Sequence, residues 1–246
     1  MPQLHANLSK NGSMPSVNGG ILWEDNINKR FYLFGGEFYQ EPPEALELLS
    51  YDALNDQWDT LGSPPPNINR VSYGGGTSIS ERGEGYYYGG WMSNASIPEF
   101  RGDRVATTGL LRYTMDSNSW TNGSGPDDIP RAEGVMVYLP ISDRGMLAYF
   151  GGISVTPNAV GSPEMVGLPM SDIFLYDIAG GQWYNQTASG DVPEVRRSFC
   201  AGVTWAPDQS SFNMQDVSHS LSWCLTDSLQ IPLWRIWRST KWCRIR

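Results

Sequence analysis

Three arginines follow proline-containing turns along this chain: Arg70 after "SPPPNIN", Arg131 after "DDIP", and Arg196, with Arg197 beside it, after "DVPEV". A planar guanidinium holds a carboxylate through two parallel N–H donors, so such residues gathered at one surface suit an acidic ligand. They suit a structural task equally well, each arginine pairing with a carboxylate of an adjoining repeat and stapling the two. Other chemistry is thinly supplied. The only histidines are His5 and His219, near the two ends, so serine–histidine catalysis lacks its base. "YGGGTSISERGEG" is glycine-rich but has neither the lysine nor the strand-loop-helix setting of a phosphate loop. Asp127 and Asp128 sit between Pro126 and Pro130 and read as solvated turn formers. Cys200, on an expected strand, reads as a small buried hydrophobe.

The arginines belong to a larger periodic pattern. "FYLFGGE", "GYYYGGW" and "LAYFGGI" each end an apolar run on a diglycine: Gly35–Gly36, Gly89–Gly90 and Gly151–Gly152. Downstream, a tyrosine precedes a tryptophan by seven residues in every case: Tyr51 and Trp58, Tyr113 and Trp120, Tyr176 and Trp183. Three signals in the same order, three times over, define an internal repeat. Each unit reads as four short strands; in the first they are "GGILWED", "KRFYLFGG", "LELLSYD" and "QWDTLG". Turn formers join the last two strands, at Asn55-Asp56, Ser117-Asn118 and Gly180-Gly181. A lone four-stranded sheet cannot bury both faces, whereas sheets stacked about an axis cover one another. Diglycine permits close backbone approach and positive φ near that axis. An outer tryptophan, burying roughly 150–250 Å² of surface, can fill the wedge between sheets.

Diglycine, tyrosine and tryptophan in units of this size resemble the kelch-repeat β-propellers. "NGGILWEDNINKRFYLFGGE" and "DVPEVRRSFCAGVTWAPDQSS", with the long loops, are most similar to the kelch-repeat proteins of filamentous fungi. The fold expected is therefore all-β: about three complete four-stranded blades and the start of a fourth, an incomplete propeller. The resemblance implies a propeller ectodomain and a non-catalytic interaction module binding protein or carbohydrate. In some kelch propellers arginines at this place face the mouth of the channel and hold acidic peptides, which makes Arg70, Arg131 and Arg196 candidates. The loops after each diglycine, 37–47, 91–104 and 153–170, vary while the strands keep step, and function collects on such loops. Phe38, Tyr39 and Trp91 on them are candidates for an aromatic platform, or else for loop anchors. The alternative is a degenerate or partial relative of the kelch-type copper radical oxidases, the galactose oxidase kind. Their copper site needs histidine ligands, a coordinating tyrosine and a cysteine cross-linked to it. Two histidines near the chain ends do not supply it, so neither metal nor cofactor is expected.

Composition narrows the partners. A net charge of −9 disfavours nucleic acid and anionic membrane surfaces. No apolar run approaches eighteen residues, so no membrane span is expected, and "MPQLHANLSKNG" lacks the apolar core of a signal peptide. Three cysteines, Cys200, Cys224 and Cys243, make no closed disulfide framework. Five Asn-x-Ser/Thr sequons occur, at Asn7, Asn11, Asn94, Asn122 and Asn185. They arise by chance in a chain rich in Asn, Ser and Thr, or they mark an extracellular glycoprotein, with Asn94, Asn122 and Asn185 in blade loops the candidates.

The repeat then breaks. Residues 1–15 read as a tail, 16–213 as blades, and 214–246 as something else. A fourth diglycine is due near 213, where the sequence is "FNMQDVSHSLSWCL". Residues 216–246 hold five basic and two acidic residues, no glycine, and Trp223, Trp234, Trp237 and Trp242 without propeller spacing. Translated intron or out-of-frame sequence is expected from near Asp216; a diverged blade and a basic membrane-surface peptide are the alternatives.

Overall fold

The structure is a computed structural model that describes residues 14–157, 163–190, 192–207, 211–217 and 242–245. It is all-β, without an α-helix among the described residues, and it divides into two compact units, residues 1–132 and 133–246.

The first unit holds two four-stranded antiparallel sheets. One consists of Ile21–Asp25, Arg30–Phe34, Leu49–Asp52 and Gln57–Thr60 in chain order. The other consists of Gly75–Ile79, Glu84–Tyr88, Leu110–Thr114 and Ser119–Gly123. The hairpins of the first sheet turn for a stated reason. Asp25 accepts the amides of Ile27 and Asn28 at 3.1 and 2.9 Å, and Asp52 those of Leu54 and Asn55, both at 3.0 Å. Each turn then closes on a left-handed residue, Lys29 at φ 57° and Asp56 at φ 52°. The segment "PPEALELLSYD" is loop, then strand, as its equivalents suggest.

The second unit repeats the plan with Val135–Leu139, Met146–Phe150, Asp172–Asp177 and Gln182–Thr187. A further sheet orders Ser189–Gly190, Trp242–Ile245, Phe212–Val217 and Cys200–Trp205. The expected start of a fourth blade is thus a hairpin, Cys200–Trp205 against Phe212–Val217, and the strand runs on through Asp216. Trp242–Ile245 pairs with it from Phe212 to Gln215. Residues 218–241, most of the atypical segment, lie outside the described residues, as do His5, His219, Asn7 and Asn11.

Second strands of the first three sheets all end on the diglycines, whose six residues have φ between 65° and 94°. A Cβ on Gly35 would lie 2.3 Å from the Val71 carbonyl oxygen, and one on Gly89 2.2 Å from that of Arg131. Neither position tolerates a side chain.

Tyrosine and tryptophan of each motif face one another across the outer hairpin, as Tyr51–Trp58, Tyr113–Trp120 and Tyr176–Trp183. Their rings lie 5.1, 4.6 and 5.1 Å apart. These tryptophans are only half-buried. Trp120 does fill a wedge, 5.3 Å from Phe34 and 6.0 Å from Trp23 of the neighbouring sheet. The fully enclosed tryptophan, however, is Trp23, at 0% exposure. It stacks on Phe34 and Tyr113, donates its indole N–H to the Tyr86 carbonyl at 3.0 Å, and lies against Gly85. A Cβ on Gly85 would come within 2.4 Å of the indole. The inner wedge admits a tryptophan because the opposing strand carries no side chain there. In the second unit, Phe150, Ile173, Leu175 and Phe212 anchor a separate aliphatic and aromatic core.

Candidate functional site

What the three repeats share here is a backbone contact and not an arginine side chain. The amide of the second glycine donates to the segment that follows each Pro turn: Gly36 to Val71 at 2.8 Å, Gly90 to Arg131 at 2.8 Å, Gly152 to Arg196 at 2.9 Å. The first repeat therefore places Val71, not Arg70, in register with Arg131 and Arg196. Arg70 is one residue early, and its guanidinium takes its own course. It is 6% exposed, donates to the Gly35 and Ala45 carbonyls at 3.1 and 3.2 Å, and lies 4.8 Å above the Phe38 ring. Burial pulls its pKa down, against Glu44 and Glu47.

Arg131, 3% exposed, grips Asp127 with both Nη atoms at 2.6 and 2.8 Å. It also donates to the Ile129 carbonyl and the Tyr88 hydroxyl. Asp127 is thus an ion-pair partner as well as a turn former, and the Arg131 hydrogen bonds hold its carboxyl below the usual range. Arg196 is half-buried, with its Nε donating to the Glu194 carbonyl at 3.2 Å. Arg197 faces Glu133 at 3.6 Å. Inward-turned guanidiniums at Arg70 and Arg131 fasten loops to strands, so the three arginines do not present one cationic set.

The aromatic trio divides in the same way. Phe38 and Trp91 are 7% and 2% exposed, and Tyr39 reaches solvent at 57%. Phe38 belongs to a strand, Glu37–Phe38, paired with Val17–Asn18. Trp91 belongs to a hairpin with Val105–Ala106 and lies under the Arg104 guanidinium at 4.1 Å. The stretches after the second and third diglycines are β-hairpins, the last being Ile153–Pro157 against Pro163–Gly167. Cys200, expected in a core, is exposed at the start of a strand on the sheet edge.

A cleft of about 560 Å³ lies within the first unit, bounded by the segments 67–71, 106–111 and 122–128. Ile68, Val71, Met92 and Leu111 make its apolar part; Asn67, Asn69, Thr108, Asn122 and Asp128 supply amide, hydroxyl and carboxylate groups. Among the described residues, no lysine, arginine or aromatic side chain lines it. Sequence reasoning missed this cleft, since its walls come from four separated stretches of chain, Gly89 and Met92 included. It also missed Glu37, whose Oε1 accepts the hydroxyls of Ser72 and Ser93 at 3.1 and 2.9 Å and ties three segments together. Among the described residues, no cluster of three or more His, Cys, Asp or Glu is placed to hold a metal.

No protein-family model matches the chain. A "Kelch repeat-containing protein" of Arthroderma benhamiae (strain ATCC MYA-4681 / CBS 112371) is 27% identical over 243 residues. The chain resembles the kelch-repeat β-propellers. That match covers 80% of this chain and 34% of the kelch relative, so the chain spans about a third of its length. Among solved structures, YjhT superposes with a TM-score of 0.52 at 14% identity, covering 82% of this chain and 58% of that one. The superposition bears on the fold alone: antiparallel four-stranded blades of the kelch type.

Proposed function

We propose that this chain is a non-catalytic kelch-repeat interaction module that takes its ligand in the cleft of the first unit. The observation that carries the reading is the cleft itself: apolar side chains beside amide and hydroxyl groups, supplied by connecting segments and the strands they join. Its chemistry suits a hydroxyl-rich carbohydrate or a polar protein loop. An acidic peptide is disfavoured, because Asp128 lines the cleft and Arg131 is committed to Asp127. The kelch relative supports an interaction role.

The setting we propose is extracellular or cell-surface. Asn94 and Asn185 are exposed, as glycan acceptors must be; Asn122 is exposed too but lines the cleft, and Asn122 and Asn185 stand on the strands Ser119–Gly123 and Gln182–Thr187 and not in the loops expected. Asn69→Trp tests the cleft, since Asn69 is exposed and lines it, and an indole there takes up space the ligand would use. Wild-type chain is expected to retain members of a glycan array and a displayed-peptide library that the variant loses. Stoichiometric copper with peroxide release on galactose-like alcohols would overturn the reading in favour of the oxidase relatives.

A further inference from the structure

The hairpin that follows the second diglycine carries Arg101-Gly102-Asp103 at its exposed end. Its base is fastened at many points. Trp91–Met92 pairs with Val105–Ala106, and the Ser93 hydroxyl donates to Glu37 at 2.9 Å. Ser96 Oγ accepts the Ser93 amide at 2.9 Å, and the Ala95 carbonyl accepts the Phe38 amide at 2.8 Å. Arg104 is committed to the Trp91 ring. The Ile97 and Phe100 amides donate within the loop as well, to the Ser93 and Ile97 carbonyls at 3.0 and 3.3 Å. Residues 101–103 are all exposed, and no hydrogen bond or ion pair among the described residues engages Arg101 or Asp103. Every other arginine of the first unit, at 30, 70, 82, 104, 112 and 131, has a partner. Gly102 has φ +99°, a conformation side chains rarely adopt, yet a Cβ built there meets nothing within 4 Å. The glycine is thus required by the backbone bend and not by packing. The bend leaves Arg101 and Asp103 unpaired with each other, although two residues apart.

We propose that this tip is a recognition site for a metal-dependent adhesion receptor. Such a partner offers an acidic pocket that takes the Arg101 guanidinium through two N–H donors, and a protein-held divalent cation with an open position for the Asp103 carboxylate. The tripeptide in this order is the ligand that receptors of that chemistry take. A pre-bent tip on a fastened hairpin loses little entropy on docking. The site rests on the extracellular reading above but lies on a different segment from the cleft.

The probe is a soluble integrin headpiece of the class that binds Arg-Gly-Asp peptides, immobilised in millimolar Mn²⁺, with the whole 246-residue chain in solution. Saturable binding is expected, competed by soluble Arg-Gly-Asp peptide and abolished by EDTA. Asp103→Glu keeps the charge but moves the carboxylate by one methylene, and small divalent ions tolerate little change in ligand distance. That variant is expected to bind about 30-fold or more weakly. Arg101→Lys loses the planar fork and weakens binding as well. Asn69→Trp leaves this binding unchanged, so failure of the cleft and failure of the tip are separable. Wild-type chain with an intact melting transition that shows no saturable binding overturns the proposal. So does Asp103→Glu binding as tightly as wild type.

Discussion

Gly89→Ala tests the physical account of the diglycine most directly. The substitution meets two separable penalties. At φ +67° an alanine sits in left-handed backbone, which costs about 1–2 kcal/mol. Its Cβ would also lie 2.2 Å from the Arg131 carbonyl oxygen, where ordinary contact begins at 3.4 Å. That oxygen belongs to backbone and accepts the Gly90 amide at 2.8 Å, so it cannot swing aside as a side-chain tip would. Forcing it back adds an overpacking cost of about 1–3 kcal/mol. Gly62→Ala is the matched control: φ is +87°, and nothing lies within 4 Å of the new Cβ. It meets the backbone penalty alone. The difference between the two variants is then about 2 kcal/mol, or about 30-fold in a local opening equilibrium. Native-state hydrogen exchange followed by mass spectrometry reads it on peptides covering Glu84–Trp91. Exchange there is expected to be about 30-fold faster in Gly89→Ala than in Gly62→Ala. If the two variants exchange within a factor of three of each other, backbone crowding is not what the diglycine is for.

Glu84, 3% exposed as a side chain, joins Arg82, Arg112 and Tyr86. Glu84→Gln, which removes the carboxylate facing two guanidiniums, is expected to lower unfolding free energy by about 2–3 kcal/mol in urea titration. Burial pushes the Glu84 carboxyl up, but Tyr86, Arg112 and Arg82 outweigh it and leave it below the usual range. Its contribution is therefore present above an unfolded pKa of about 4.3 and lost as pH falls through the lower folded value, so the gap between wild type and Glu84→Gln should close in acid. Asp127 behaves alike: its folded pKa is depressed chiefly by Arg131, so Asp127→Asn should flatten the acid limb of the stability curve, with a small amplitude because the carboxylate is 39% exposed. Trp23→Ala is expected to cost about 3–5 kcal/mol by the same titration, while Trp58→Ala, at a half-buried position, costs less. Peptide mass spectrometry of the protein from its native host is expected to find glycans on Asn94 and Asn185, which lie outside the cleft; wholly unmodified peptides would remove the support for an extracellular setting.

Sequence and structure agree most closely where a residue type is demanded by its own backbone. Diglycine, the turn formers at Asn55-Asp56 and Gly180-Gly181, and the facing Tyr–Trp pairs are such cases, and each is legible from one segment alone. Agreement ends where a residue's fate depends on a distant one. Trp23 is enclosed because Gly85 leaves room for it, and nothing in "GGILWED" reports that glycine. The arginines show the same limit more sharply. Aligned by side chain, Arg70, Arg131 and Arg196 look equivalent. Aligned by the hydrogen bond that the structure repeats, the equivalents are Val71, Arg131 and Arg196, and the shared element is a carbonyl oxygen. A carbonyl is common to every residue and leaves no mark in sequence. Because the fold asks only for that oxygen, side chains beside it are free to differ: Arg70 reaches Gly35 and Ala45, Arg131 reaches Asp127 and Tyr88, and Arg196 reaches Glu194. A recurrent arginine beside a recurrent backbone clamp thus carries less functional weight than its spacing suggests. Recognition is better sought where the clamp ends and the connecting segments begin, at the cleft and at the Arg101–Asp103 tip.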